Sequence, residues 1–290
     1  MLLKEEHLAV FQANWNDKAT NIKAIAEELS LGLDAMVFLD DNPVERGLVR
    51  RMLPQVAVPE LPDDPAWYAR TLAAAGYFES VAFSDEDRGR AQMYQSNARR
   101  VALQRQAGDL DAYLASLEME IQFAPFDRVG RARISQLINK SNQFNLTTRR
   151  YSEADVAAAE AHLDVFTLQV RLIDSFGDNG MICVIVCRPG ETGEWVIDTW
   201  LMSCRVLGRK VEQMVLREIL LRARKAGIDR VWGRYIPTEK NALVRDHYEK
   251  LGFIKMDEQN GTTTWMMPVS TEIAEVPMRV TRSGAAALAA

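Results

Sequence analysis

Cysteine is scarce in this chain of 290 residues, which holds only Cys183, Cys187 and Cys204. An odd count without paired metal-type spacing excludes a disulfide framework and offers no zinc motif. A basic excess is also missing, because 35 Lys and Arg stand against 40 Asp and Glu, with a net charge of −5. The two signs are mixed along the chain, so the basic stripe that nucleic acid requires is absent and nucleic acid is not an expected partner. No apolar run approaches the roughly 20 residues of a spanning helix, and Met1-Leu2-Leu3-Lys4-Glu5-Glu6 lacks the form of a signal peptide. The expectation is a cytoplasmic chain with no membrane partner. No internal repeat stands out.

What the chain does have is apolar content, 48% hydrophobic residues, enough to bury a sizeable core and to form about two domains. The first segment alternates helix and strand: a helix over 17–29, a strand over 35–39, a helix over 43–52 and a short strand over 56–58. That is an α/β pattern, and it places Asp40 and Asp41 on the loop at the carboxyl end of a strand, where open α/β sheets hold ligands. Pro43 suits the first helical position. Helical spacing resumes at 66–75, and a polar, Arg-rich helix over 84–106, with Ser84 and Asp87 as a capping pair, reads as the connector between domains.

From about residue 109 the pattern becomes α+β. Helices are expected over 110–117, 129–139 and 153–162, and strands over 120–123, 166–173, 181–187 and 195–202. The last three strands suit an antiparallel sheet joined by the turns 177–180 and 190–193. A helix over 208–226, a strand over 230–235, a helix over 239–251 and a strand over 262–267 complete the pattern. The residues after 270 read as a flexible tail.

Cys183 and Cys187 lie in an apolar strand and are expected in the core. Cys204 differs, because it stands between a strand and the Arg205-Val206-Leu207-Gly208-Arg209 loop that leads into a long amphipathic helix. Helix-terminal amides and the two arginines favour a phosphate or a thiolate there, so Cys204 reads either as an activated thiol or as one more small packed residue. For the pair Asp40 and Asp41 the alternatives are a metal site, since hard carboxylates suit a hard cation, and a solvated helix cap. His247 reads as a surface helix residue and His162 as a helix cap, leaving no named general base.

The strings around Lys18 (14–22) and around Asp40 and Asp41 (37–46) resemble the last two motifs of haloacid-dehalogenase (HAD) phosphatases. That resemblance implies Lys18 as the residue steadying phosphoaspartyl charge and Asp40 and Asp41 as Mg²⁺ ligands. Its nucleophile is the first Asp of an Asp-x-Asp motif on an earlier strand, and nothing before Lys18 supplies one. The expectation is a fragment or natural short form without phosphatase activity, in which Mg²⁺ binding is weak or vestigial.

The later part resembles the acyl-CoA-binding half of GNAT-type N-acetyltransferases, through Arg205, Gly208 and Arg209, the following helix and strand, and then Asn241 and Tyr248. There the loop binds a pyrophosphate, while the Asn and Tyr lie near the thioester sulfur. Lys210 departs from the small residue usual in that loop. Taken together with the strings 140–150, 170–180 and 201–209, residues 1–268 resemble the FkbH-like proteins of polyketide biosynthesis. The implied architecture is α/β and α+β: the C-terminal part of a HAD-like α/β domain (1–80), a helical connector (81–108), a GNAT-like acyltransferase domain (109–270) and a tail (271–290).

The implied activity is transfer of a glyceryl or similar hydroxyacyl group from 1,3-bisphosphoglycerate, through a cysteine thioester, to the phosphopantetheine thiol of an acyl carrier protein. An acyl phosphate is activated toward thiolate attack, and a second thiol can then exchange for the first. On this reading Cys204 carries the acyl group, and Arg205 and Arg209 donate to phosphate. Asp174, Asn179 and Asn145 position the substrate hydroxyls or polarise the thiol, although Asn145 and Asn179 equally suit turns. Two alternatives stand beside it: a non-catalytic fragment that docks a carrier protein, and a CoA-dependent N-acetyltransferase.

Overall fold

The computed structural model describes residues 4, 7–29, 31–79 and 89–283, with the side chains at 90–92, 98, 102, 105 and 106 outside the description. The chain divides into two units, 1–98 and 99–290. In the first, Asp17 starts helix α1 (Lys18–Leu29) by accepting the Thr20 amide (2.8 Å) and hydroxyl (2.7 Å). Those bonds satisfy donors that a helix end leaves open. Asn42 does the same for α2 (Pro43–Met52), accepting the Val44 amide at 2.9 Å with Pro43 at the first helical position. Ala19, Ile22, Val49, Leu53 and Val56 make a small core between these segments.

The strands expected over 35–39 and 56–58 are reduced to a single parallel bridge, Val37 to Ala57. Leu33–Ala35 winds into a 3₁₀ turn instead, and a lone pair of short segments gains too few ladder bonds to extend. A further helix, α3 (Tyr68–Ala74), follows a 3₁₀ turn capped by Asp64. The polar helix α4 (Arg90–Gln106) contains the division between units. The capping pair read at Ser84 and Asp87 lies outside the described residues.

The second unit is built on one eight-stranded sheet. Chain order gives α5 (Leu110–Ser116), β1 (Glu120–Ala124), α6 (Arg131–Lys140), α7 (Glu153–Ala161), β2 (Phe166–Asp174), β3 (Gly177–Pro189) and β4 (Glu194–Met202). It continues with α8 (Val211–Lys225), β5 (Arg230–Tyr235), α9 (His247–Lys250), β6 (Ile254–Gln259), β7 (Thr262–Pro268) and β8 (Arg279–Arg282). The strands lie in the order β6-β7-β5-β4-β3-β2-β1-β8. Pairing is antiparallel except for β4 with β5 and β1 with β8.

Strand β3 is the centre of the core. Cys183, Ile185 and Cys187 pack in one cluster with residues of α8, while Val184 and Val186 pack in another with residues of α6 and α7. A strand covered on both faces carries apolar residues without alternation, which is what 181–187 shows. Both cysteines have no exposed surface, and burial raises their thiol pKa. The chain is thus a mixed α/β protein with a large sheet in its second unit, and among the described residues no helix is long and apolar enough to cross a membrane.

Four local expectations change. The turn between β2 and β3 is at Ser175 and Phe176, not 177–180, because the Asp174 carboxylate accepts the Phe176 amide (2.9 Å) and Gly177 already pairs with Asp174. The helix expected from 208 starts at Val211, since Gly208 (φ 76°) and Lys210 (φ 59°) are left-handed and cannot continue a right-handed helix. The helix expected over 239–251 is a 3₁₀ turn (Ala242–Val244) followed by the short α9, with Asn241 tied to neighbouring main chain. The tail is part of the fold up to Ser283: β8 pairs with β1, and Arg282 reaches the buried Glu218 at 2.8 Å. Residues 284–290 lie outside the described residues.

Gly233 on β5 is required by space. A methyl group there would sit 2.3 Å from the Tyr248 ring, itself fully buried. Gly233→Ala should therefore destabilise the protein by about 2–3 kcal/mol, read as a lowered midpoint in urea. A midpoint equal to the parent's would show that the ring moves aside without cost.

Candidate functional site

The Cys204 loop is held by the way β4 ends. Strands β4 and β5 pair over three positions only, Glu194 to Val196 against Arg230 to Trp232. Farther along, a strap at 144–146 takes over the partner role. The Leu146 amide donates to the Trp200 carbonyl and the Met202 amide to the Phe144 carbonyl, each at 3.2 Å, while the Ile236 amide donates to the Leu146 carbonyl at 2.8 Å. The strap is thereby bonded both to β4 and to the segment after β5. All three of its residues are buried.

After β4 the Ser203 amide donates to the Ile182 carbonyl (2.7 Å), and Cys204–Val206 forms a 3₁₀ turn. Cys204 is partly accessible, unlike the two enclosed cysteines, and none of the three is in a disulfide. Its thiol is not depressed in pKa: burial pushes it up, and the neighbouring charge of Arg205 only opposes this. The expectation of a helix-terminal thiolate fails for a geometric reason, because α8 begins seven positions farther on, at Val211. Arg205 donates from Nε to the Ser203 hydroxyl at 3.0 Å. In the native protein, iodoacetamide should therefore modify Cys204 while Cys183 and Cys187 react only after denaturation. Peptide mapping checks this, and native labelling of Cys183 or Cys187 would contradict the packing of β3.

Arg209 and Asp174 meet in the interior. Asp174, with no exposed side-chain surface, accepts Arg100 Nε (2.9 Å) and Nη2 (2.8 Å), Arg209 Nη1 (3.1 Å), Asn179 Nδ2 (3.0 Å) and the Phe176 amide (2.9 Å). Burial by itself raises its pKa, yet the bonds from Arg100 and Asn179 and the charge of Arg100 hold the net value below the ordinary one. Arg209 is pulled down to about 10, first by burial and then by the charge of Arg100. Its Nη2 donates to the Arg205 carbonyl at 2.8 Å. Arg100 was not legible as a site residue, being one arginine among several on a polar helix.

Asn145, Asn179 and Asn241 are buried and bonded inside the protein. Asn145 lies in the strap, donating to the Ser141 carbonyl (3.3 Å) and accepting the Thr148 amide (2.8 Å). Asn241 clamps that strap through its bond to the Asn145 carbonyl (3.0 Å) and also holds the Ile236 carbonyl (2.9 Å) and the Thr238 amide (2.7 Å). Tyr248 is fully enclosed, and burial pushes its phenol up. His247, read from the sequence as a surface residue, is packed among the rings of Phe144 (5.0 Å), Trp200 (4.6 Å) and Tyr248 (5.5 Å). Burial holds it neutral, pulled down to about 3. His162 is exposed and accepts the Asp164 amide at 3.3 Å. Gly208 is needed for its left-handed backbone, since no atom stands within 4 Å of where a Cβ would be.

In the first unit Lys18 Nζ lies 3.8 Å from Asp40 Oδ2, and Asp40 Oδ1 accepts the Asn42 amide at 2.9 Å. Arg46 donates to the carbonyls of Asp40 and Asp41, both at 2.9 Å, fixing this corner. Toward Mg²⁺, Asp41 is exposed and Asp40 Oδ2 faces the Lys18 ammonium, but among the described residues no group of three acidic, histidine or cysteine side chains converges, so these side chains alone fall short of the donor set of a hard cation. A groove of about 890 Å³ lies elsewhere, lined by Met214, Arg217, Leu221, Arg224, Ile273 and Arg282 among others, and holds none of the residues singled out from the sequence.

No family model and no curated protein matches this chain. Among solved structures it is similar to the N-terminal part of a Bacteroides fragilis protein containing a phosphatase domain, complexed with Mg, at 52% identity over 29% of this chain and 22% of that one, with a TM-score of 0.28. It spans about a fifth of that structure's length. About half of this chain, 52%, is similar to two N-acetyltransferases, each covered over 96% of its own length. They are the ribosomal-protein-S18-alanine enzyme of Escherichia coli (13% identity, TM-score 0.39) and the spermidine enzyme of Vibrio cholerae, solved with CoA and spermine (12%, 0.41).

Proposed function

We propose that this chain is an FkbH-like acyltransferase that takes a glyceryl or related hydroxyacyl group from a glycerate-type acyl phosphate onto Cys204 and passes it to an acyl carrier protein. The observation that carries the reading is the position of Cys204: of three cysteines, it alone is outside the buried strand, on a loop beside Arg205. In the first step the Cys204 thiol gives up its proton to water, the thiolate sulfur bonds to the acyl carbon, and the carbon–oxygen bond to phosphate breaks, the phosphate leaving with that bond's electron pair. Arg205 neutralises charge on that leaving group. In the second step the phosphopantetheine thiol of the carrier protein attacks the thioester and its proton returns to Cys204.

Two observations favour this thiol route over direct CoA-dependent N-acetylation. The strap at 144–146 bonds along the part of β4 that β5 leaves unpaired, and Asn241 and Tyr248 are enclosed, with Asn241 bonded to neighbouring main chain. No step here uses the acidic pair of the first unit, and phosphatase activity is not part of the proposal. The test is intact-mass analysis after incubation with a glyceryl phosphate donor. An acyl adduct on the parent that is absent from Cys204→Ala supports the reading, and no adduct under any condition sinks it. Acetyl-CoA turnover with an amine, insensitive to Cys204→Ala, would favour the N-acetyltransferase.

A further inference from the structure

Arg209 has two faces in this structure, one on the buried carboxylate and one on the loop. Its Nη1 bonds Asp174 Oδ2 (3.1 Å) and contacts Asn179 Oδ1 (3.4 Å), while Nη2 bonds the Arg205 carbonyl (2.8 Å). A planar guanidinium can make such a fork, and a lysine ammonium cannot reproduce it. Asp174 is in turn fixed by a bidentate pair with Arg100, at 2.8 and 2.9 Å, and by the Phe176 amide at 2.9 Å. The carboxylate therefore has bonds on both oxygens from four residues. Nothing in this arrangement leaves Arg209 directed at a ligand: its side chain is 4% exposed.

We propose that Arg209 is a positioning residue, held by Asp174 and Asn179 with Arg100 fixing Asp174, which pins the Arg205 carbonyl and so holds Cys204 in its partly covered place. The assignment rests on the acyl-carrying role of Cys204 for its meaning, but its geometry stands apart from that role. It replaces the expectation that Arg209 donates to a substrate phosphate, leaving Arg205 for that contact. Because the loop is pinned, the thiol is kept partly out of water. Among charged groups, Arg205 is the one whose charge opposes the effect of burial on the thiol.

The test is the pH profile of Cys204 alkylation by iodoacetamide in the full chain, with no acyl donor present, for the parent, Arg209→Met and Arg209→Lys. Both variants leave the Arg100–Asp174 pair intact. Releasing the loop hydrates the thiol, so alkylation in both should be about threefold faster or more at about pH 8, with the profile displaced to lower pH. A role in binding phosphate would leave this substrate-free profile unchanged. Profiles that superimpose on the parent's overturn the proposal, as does a parent-like Arg209→Lys beside a displaced Arg209→Met, which would make charge and not the fork the working feature. If neither Arg209 variant folds, Asn179→Ser removes one side of the clamp and should displace the profile in the same direction by less; no displacement overturns the proposal. Failure of the parent to take an acyl group would sink the acyltransferase reading without touching this one.

Discussion

Cys204→Ala should lower acyl loading from an acyl phosphate by about a hundredfold or more, since the substitution removes the attacking atom itself. Cys183 and Cys187 cannot substitute, because both are wholly enclosed in β3 and their thiols are held protonated by burial. The parent should show a pH dependence of defined sign. Burial raises the Cys204 pKa above its ordinary 9.0, so near neutrality only a small fraction is thiolate. Loading should then climb about tenfold per pH unit below that pKa. Rate against pH at saturating donor, measured by the adduct fraction, checks it. A flat profile between about pH 7 and 9 would show that the proton is still in transfer during the attack, to a base or to the departing phosphate, contrary to attack by a preformed thiolate.

Much of the second unit was legible in the sequence, because its strands carry strong apolar runs and its helices clear periodicity. The 181–187 run predicted a fully buried strand, and Cys183 and Cys187 are in the core as expected. Three kinds of feature were not legible. Strand β6 has every residue exposed and no alternation to mark it, while β8 is short and mixed in character. The β2–β3 turn was misplaced because Gly177, Asp178 and Gly180 have turn composition, whereas the deciding bond runs from Phe176 to Asp174. The site was missed in another way: residue types were recognised without their partners. Asp174, Asn179 and Arg209 were singled out one by one, but Asn179 and Arg209 share Asp174 with Arg100, which lies 74 residues from that carboxylate, and no local spacing encodes this. Likewise the strap at 144–146 and its clamp Asn241 are 96 residues apart at their bond. In the first unit the caps at Asp17 and Asn42 follow local rules, while strand formation depends on neighbours and did not.

Asp174→Ala should destabilise the second unit by about 3–5 kcal/mol, because it strands Arg100 and Arg209 in the interior with no anion between them. Against the roughly 5–15 kcal/mol of a typical domain, that is a large share of the total. Urea unfolding followed by circular dichroism measures it, and a loss below about 1 kcal/mol would mean that water reaches both guanidiniums. The pH response gives an independent sign. The folded pKa of Asp174 lies below its ordinary 3.8, since bonds and charge from Arg100 and Asn179 outweigh the opposing effect of burial. Its contribution is therefore present above the unfolded value and is lost as pH falls through the folded one. The parent's midpoint should fall on acidification below about pH 4, and Asp174→Asn should lack the part of that fall due to this group. The cluster also explains why its two arginines differ. With two guanidiniums on one carboxylate, losing Arg100 leaves a balanced Asp174–Arg209 pair, so Arg100→Met should cost less than Asp174→Ala. Equal losses would show that Arg100 holds the carboxylate by geometry that Arg209 and Asn179 cannot maintain alone.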